Sequence, residues 1–297
     1  MTSHVFQTVI AVGLVLALPA CAPLRHKAPP PVKVSYVSFQ TLDTERPLHE
    51  GAVLRVPLNA PRPLPAVVIV HGSSGVDSRG ASYAAVLNDA GIATLEIDMW
   101  TARGITSAAE RPKAVPLTLP DAYGAYRLLA GNPEIDARRI GITGFSWGGV
   151  VSMLAATRPY TERYLGKDAR FAAHAPNYPV CWVYNHVPGY EFKDFTGAPI
   201  HIQAGELDTY DLPDSCSTLI ASLGEAASRL VTVTTYSNAG HGWDRIEQAV
   251  TVDDPYSHLG KGGKVVMKGN PVVAAKSRAA TVAFFRCHFG LGGCAAS

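Results

Sequence analysis

The chain has 297 residues, of which 47% are hydrophobic and 17% charged, and its formal net charge is +2. That length and apolar content suffice for one large buried core. The near-neutral balance gives no basic footprint for nucleic acid, and the only compositional bias is a short proline cluster.

The first element in chain order is a leader. Residues 9–18 form an apolar run too short to span a bilayer as a lasting helix but suited to a signal peptide. Leu18-Pro19-Ala20-Cys21 resembles the bacterial lipobox. The resemblance implies cleavage before Cys21 and lipid on its sulfur. Ala22 in place of Asp implies sorting to the outer membrane of a Gram-negative cell. Two features depart from that pattern: residues 1–7 hold no Lys or Arg, and Pro19 is uncommon at its position. The alternative is plain secretion with cleavage near Ala20 or Ala22. The organisation expected is therefore a signal peptide over 1–20, a lipid attachment site and Pro-rich tether over 21–33, and one α/β domain over 34–297.

Five cysteines suit an exported protein. With Cys21 lipidated, four remain, which allow three connectivities. Cys287 and Cys294 are close in sequence, with Gly290, Gly292 and Gly293 between them to permit a tight loop. That leaves Cys181 and Cys216 as the second pair. The alternative is that some are buried free thiols. The sequence holds no C-x-x-C and no H-E-x-x-H, so neither pattern of metal ligation is suggested.

Short β-branched runs then alternate with helical patterns. Strands are expected over 34–39, 52–56, 66–70, 92–97, 140–144, 171–175, 200–204 and 231–236. Helices are expected over 81–90, 119–130, 147–156, 214–227 and 271–287, the last opened by Asn270-Pro271. The alternation argues for a mostly parallel eight-stranded sheet flanked by helices, with the first two strands as an antiparallel edge.

In such a sheet, function sits past the carboxyl ends of the strands. There Gly144-Phe145-Ser146-Trp147-Gly148 matches G-x-S-x-G. A serine at a sharp strand-to-helix turn needs glycine two positions either side to avoid collision, and the helix start presents N–H groups to developing negative charge. The bland alternative is a Gly-rich turn whose serine caps the helix. A nucleophilic serine needs a base, and the base an orienting acid, in the chain order Ser, Asp or Glu, His. His241 follows a clear strand in a Gly-rich loop, whereas His174, His186, His201, His258 and His288 read as strand, loop or helix residues. Asp208 follows the strand over 200–204; Glu206, Asp211 and Asp214 are rivals, with Asp214 better placed to cap the next helix. The oxyanion donors expected are the N–H groups of Trp147 and Ser73, the latter in His71-Gly72-Ser73-Ser74. His71 itself is read as shaping that loop.

These residues together resemble the dienelactone hydrolase family of α/β-hydrolases. The likeness runs from about residue 66 to 285. It rests on Val70-His71-Gly72, Ile97-Asp98 with Arg103-Gly104, residues 135–139, Gly144-Phe145-Ser146-Trp147-Gly148-Gly149, Gly205-Glu206-Leu207-Asp208 and Gly240-His241. The resemblance implies an α/β-hydrolase fold, strengthens Asp208 as the acid, and supports pairing Cys181 with Cys216. One departure matters: the namesake enzymes use cysteine as nucleophile, and this chain has Ser146. The resemblance thus bears on fold and triad more than on substrate.

The expectation is a serine hydrolase acting on small carboxylic esters through an acyl-enzyme. No metal or organic cofactor is implied, the membrane is reached through the N-terminal lipid, and the oligomeric state is left open. A peptidase or amidase with the same triad and a non-catalytic envelope lipoprotein are the alternatives. Tyr178 and Trp182, in an aromatic stretch over 177–195, are read as pocket residues against the alternative of a loop packing its own aromatics. Arg103 is read either as a partner for a substrate carboxylate or as half of a structural ion pair. Residues 245–268 form a polar excursion, either a lid or a plain insertion.

Overall fold

The computed structural model describes Met1 and residues 31–294, so the leader, Cys21 and nearly all of the tether lie outside the described residues. β1 (Val32–Gln40) and β2 (His49–Pro57) pair antiparallel, with Tyr36 opposite Val53. β3 (Leu64–Val70) is buried at every position, as a strand covered on both faces must be. It pairs parallel with β4 (Ala93–Asp98) and β5 (Ile135–Phe145). β6 (His174–Asn177), β7 (Ile200–Gly205) and β8 (Val231–Tyr236) continue the parallel sheet. The eight strands lie in the order β1-β2-β4-β3-β5-β6-β7-β8, and β2 is antiparallel to β4.

The helices in chain order are α1 (Ser78–Asp89), α2 (Leu119–Ala130), α3 (Trp147–Leu154), α4 (Arg158–Leu165), α5 (Ser215–Ser222), the short α6 (Glu225–Ser228), the single turn α7 (Ser257–Gly260) and α8 (Pro271–His288). Side chains on a strand alternate between faces, and β3 divides accordingly. Val68 and Val70 join Leu119, Tyr123 and Val151 of α2 and α3 in one core. Val67 and Ile69 join Tyr83 and Leu87 of α1 and Phe285 of α8 in the other.

Several boundaries differ from the sequence reading. The helix expected over 214–227 stops at Ser222, because Leu223 turns extended and Gly224, also extended, caps the start of α6. The sixth strand is shifted toward Asn177, whose buried amide is held by Thr143 and Gln203. α4 was not expected, and residues 245–268 contain an antiparallel hairpin, β9 (Val250–Asp254) and β10 (Gly263–Met267), with α7 between them. The cap on α8 is as expected, with Val273 N–H donating to the Asn270 side chain. Cys181 bonds Cys216, and Cys287 bonds Cys294.

Candidate active site

Ser146 sits between β5 and α3 with φ 53° and ψ −110°, a left-handed conformation that a β-carbon resists. The neighbouring glycines make that turn possible. A Cβ at Gly144 would fall 2.2 Å from the Gly148 carbonyl oxygen, and one at Gly148 would fall 2.2 Å from that of Val70. No side chain fits between β3, β5 and the start of α3.

The loop after β8 brings His241 to this turn. Its Nε2 lies 2.8 Å from Ser146 Oγ, and its Nδ1 lies 2.7 Å from Asp208 Oδ2. A carboxylate only accepts, so Nδ1 carries the proton and the Nε2 lone pair faces the serine hydroxyl. His241 and Asp208 are both buried. Asp208 Oδ1 also accepts the Tyr210 N–H at 2.9 Å. Such a hydrogen-bonded chain can activate a hydroxyl.

The rival acids are engaged elsewhere. Glu206 accepts the Asn238 N–H at 3.1 Å. Asp211 accepts the N–H groups of Cys181 and Trp182 at 2.6 and 2.8 Å. Burial, then the nearby Asp208 charge, pushes the Asp211 carboxyl up to about 7. Asp214 occupies the N-cap of α5, yet its side chain accepts no capping bond.

The loop after β3 faces Ser146 from the other side. The Trp147 N–H opens α3, and Ser73 lines the cavity at Ser146. His71 holds this loop: its Nε2 accepts the Met99 N–H at 3.0 Å, so its Nδ1 donates to the Gly72 carbonyl at 2.7 Å. Burial lowers its pKa to about 4, which keeps it neutral. The Trp100 indole N–H donates to the Ser73 carbonyl at 2.9 Å and fixes the same loop.

The cavity beside Ser146 has a volume of about 70 Å³. Val115, Trp147, Val150, Val180 and Val183 form its apolar wall, and Tyr190, Tyr210 and Tyr256 its aromatic one, with Arg111, Lys113 and Asp254 at the polar end. A larger groove of about 880 Å³, lined by Asp43, Arg127 and Tyr164 among others, contains none of these residues.

The three residues read from sequence as pocket residues are not in this lining. Tyr178 is buried behind the site, donating to Asp244 Oδ1 at 2.6 Å and accepting from Arg79 at 3.1 Å, its ring against His241 at 4.8 Å. Trp182 lines a separate surface groove with Leu212 and Leu259. Arg103 forks between Glu50 and Asp121, the ion-pair alternative, and is spent there. Sequence reasoning missed Arg111, Lys113, Asp254 and Tyr256, which come from segments without a motif. Tyr210 was within reach of it, two residues beyond Asp208.

The residues read from sequence as family-bearing fall within a match to the "Dienelactone hydrolase family" over residues 51–288. No curated protein matches the chain. Among solved structures, a dienelactone hydrolase from Anabaena variabilis is 19% identical, with 86% of this chain and 98% of that chain covered and a TM-score of 0.55. Thermogutta terrifontis esterase 2, phosphorylated by paraoxon, is 13% identical, with 89% and 96% covered and a TM-score of 0.60. Est1E from Butyrivibrio proteoclasticus is 15% identical, with 83% and 97% covered and a TM-score of 0.53. At these identities the likeness is one of fold.

Proposed function

The chain belongs to the dienelactone hydrolase family and is a hydrolase; from that premise we propose that it cleaves carboxylic esters with Ser146 as nucleophile. The observation that carries this reading is the unbroken chain from Ser146 Oγ through His241 to Asp208, at 2.8 and 2.7 Å. His241 takes the serine proton as Oγ attacks the carbonyl and returns it to the leaving alcohol. Asp208 holds the tautomer and stabilises the imidazolium. The N–H groups of Trp147 and Ser73 receive the oxyanion, and water then releases the acyl group from Ser146.

The small cavity narrows the substrate. An apolar cavity of about 150 Å³ holds a benzene ring, and this one is about 70 Å³. The apolar wall therefore suits a small acyl group beside Ser146, and the open side of the cavity leaves room for the rest of the ester. The paraoxon-phosphorylated esterase of the same fold makes organophosphorus reagents a natural probe.

The test is fluorophosphonate labelling of the wild type beside Ser146→Ala, followed by matched ester and amide substrates. Labelling that disappears with the serine, and cleavage of the ester well ahead of the amide, is the expected result. A folded wild type that takes no label removes the nucleophile. An amide cut as readily as the ester removes the ester preference.

The reading extends to an exported protein held to the membrane by lipid on Cys21. Two disulfides support an oxidising compartment. The mass of the mature N-terminus tests the anchor, and an unmodified chain beginning after Cys21 would end it.

A further inference from the structure

Resting on the serine-hydrolase reading above, we infer that Tyr210 is a positioning residue for the His241–Asp208 pair and that the β9–β10 hairpin is the buttress behind it. Tyr210 reaches the pair twice. Its N–H donates to Asp208 Oδ1 at 2.9 Å, leaving Oδ2 for His241. Its ring lies 4.3 Å from the imidazole, tilted by 42°. The Tyr178 ring touches the same imidazole at 4.8 Å and 63°. A histidine that must accept from Ser146 and then donate to a leaving group needs its Nε2 held within hydrogen-bond reach of both atoms. Two packed rings restrict the rotation that would carry Nε2 away.

The hairpin holds Tyr210 in two ways. In the backbone, the N–H groups of His258 and Leu259 donate to the carbonyls of Thr209 and Tyr210 at 2.8 and 3.3 Å. Both donors are in the left-handed region, with φ 52° and 58°, a turn that aims them at the acid loop. In the core, Tyr210 forms a small buried cluster with Val265 and Met267 of β10. Beside the cavity, Tyr210 and Asp254 share the same lining. The Asp254 carboxylate is itself held by Arg111 and by the Tyr256 N–H, each at 2.9 Å. The excursion over 245–268 is therefore bonded to the acid loop, and its Asp254 and Tyr256 also line the cavity.

The experiment compares full-length Tyr210→Leu, Tyr210→Phe and Val265→Ala in steady-state hydrolysis of a short-chain aryl ester, with thermal melts for folding. Tyr210→Leu should lower kcat by roughly 10–100-fold with KM changed by no more than about threefold, since a displacement of about 1 Å can cost 10²-fold. Tyr210→Phe, which keeps the ring, should restore kcat to within about threefold of wild type. Val265→Ala, which lies behind the ring and away from the cavity, should lower kcat in the same sense and leave KM unchanged; it carries the test alone if Tyr210→Leu does not fold. Wild-type kcat in Tyr210→Leu, a loss confined to KM, or an equal loss in Tyr210→Phe would overturn the positioning role. Wild-type kcat in Val265→Ala would overturn the buttress. Failure of the parent reading looks different, because the wild type would then take no fluorophosphonate label.

Discussion

A Cβ on Gly148 would lie 2.2 Å from the carbonyl oxygen of Val70, the last residue of the central strand. The obstacle is backbone, not a flexible side-chain tip, so the end of β3 or the start of α3 has to move. Gly148→Ala should destabilise the protein by about 1–3 kcal/mol, the usual range for overpacking. It should also reduce ester hydrolysis beyond what the lost stability explains, because Ser73 and Trp147 lie on the two segments forced apart. Gly51→Ala meets nothing within 4 Å and should melt with the wild type. Thermal melts and initial rates on the two variants check this.

Asp208 is the proposed acid because it lies 2.7 Å from His241 Nδ1, and substitution separates it from its rival. Asp208→Asn leaves the shape intact but offers Nδ1 an amide and unsettles the tautomer. A loss in kcat on the order of 10⁴ is expected, the scale known for that change in a serine protease triad. Asp211 binds two backbone N–H groups of the Cys181 loop. Asp211→Asn should cost far less in kcat and register mainly as lower thermal stability. Equal losses in the two variants would mean that the acid has been misassigned.

Glu50 and Asp121 share the single guanidinium of Arg103 and are both buried beside it. Burial, reinforced by the Asp121 charge, raises the Glu50 carboxyl from 4.5 to about 9. A carboxyl whose folded pKa lies above its unfolded value stabilises the fold fully below the unfolded value and loses that contribution as pH rises through the folded one. The melting temperature should therefore decline between about pH 5 and pH 9. Glu50→Gln keeps an acceptor for Arg103 and carries no proton to lose, so its decline should be shallower. Parallel curves for the two proteins would show that Glu50 does not govern that range.

What the sequence disclosed follows from where the physical signal was local. β3 is apolar at all of its buried positions, and α2 begins and ends where its pattern does. The G-x-S-x-G turn was legible because its glycines answer clashes within a few residues of Ser146. α4 was hidden because it has only eight residues and, apart from Thr161, packs on the core through the partly buried Tyr160, Tyr164 and Leu165 set among charged residues. The shifted sixth strand was hidden because Asn177 is held by side-chain bonds that no hydrophobicity pattern records. The cavity was the least legible part. Arg111 and Asp254 are 143 residues apart and meet only when the hairpin reaches the segment before α2. Tyr178 and Trp182 looked like pocket residues because aromatic content is visible in sequence and side-chain direction is not.

The two disulfides should contribute unequally. The bond between Cys181 and Cys216 closes a separation of 35 residues, and that between Cys287 and Cys294 closes 7. Chain entropy then gives about 4 kcal/mol for the first and about 2 kcal/mol for the second. Position sharpens the difference. Cys181 opens the turn that carries Val183 into the cavity wall, and Cys216 stands in α5 just past the loop of Asp208 and Tyr210. The longer bridge thus ties one wall of the cavity to the acid loop, whereas the shorter one closes the end of α8, outside the cavity lining. Cys181→Ser with Cys216→Ser should lower both the melting temperature and the ester rate. Cys287→Ser with Cys294→Ser should lower the melting temperature less and leave the rate near wild type. Melting curves and initial rates on the two double variants check the order, and a larger loss of rate from the C-terminal pair would contradict it.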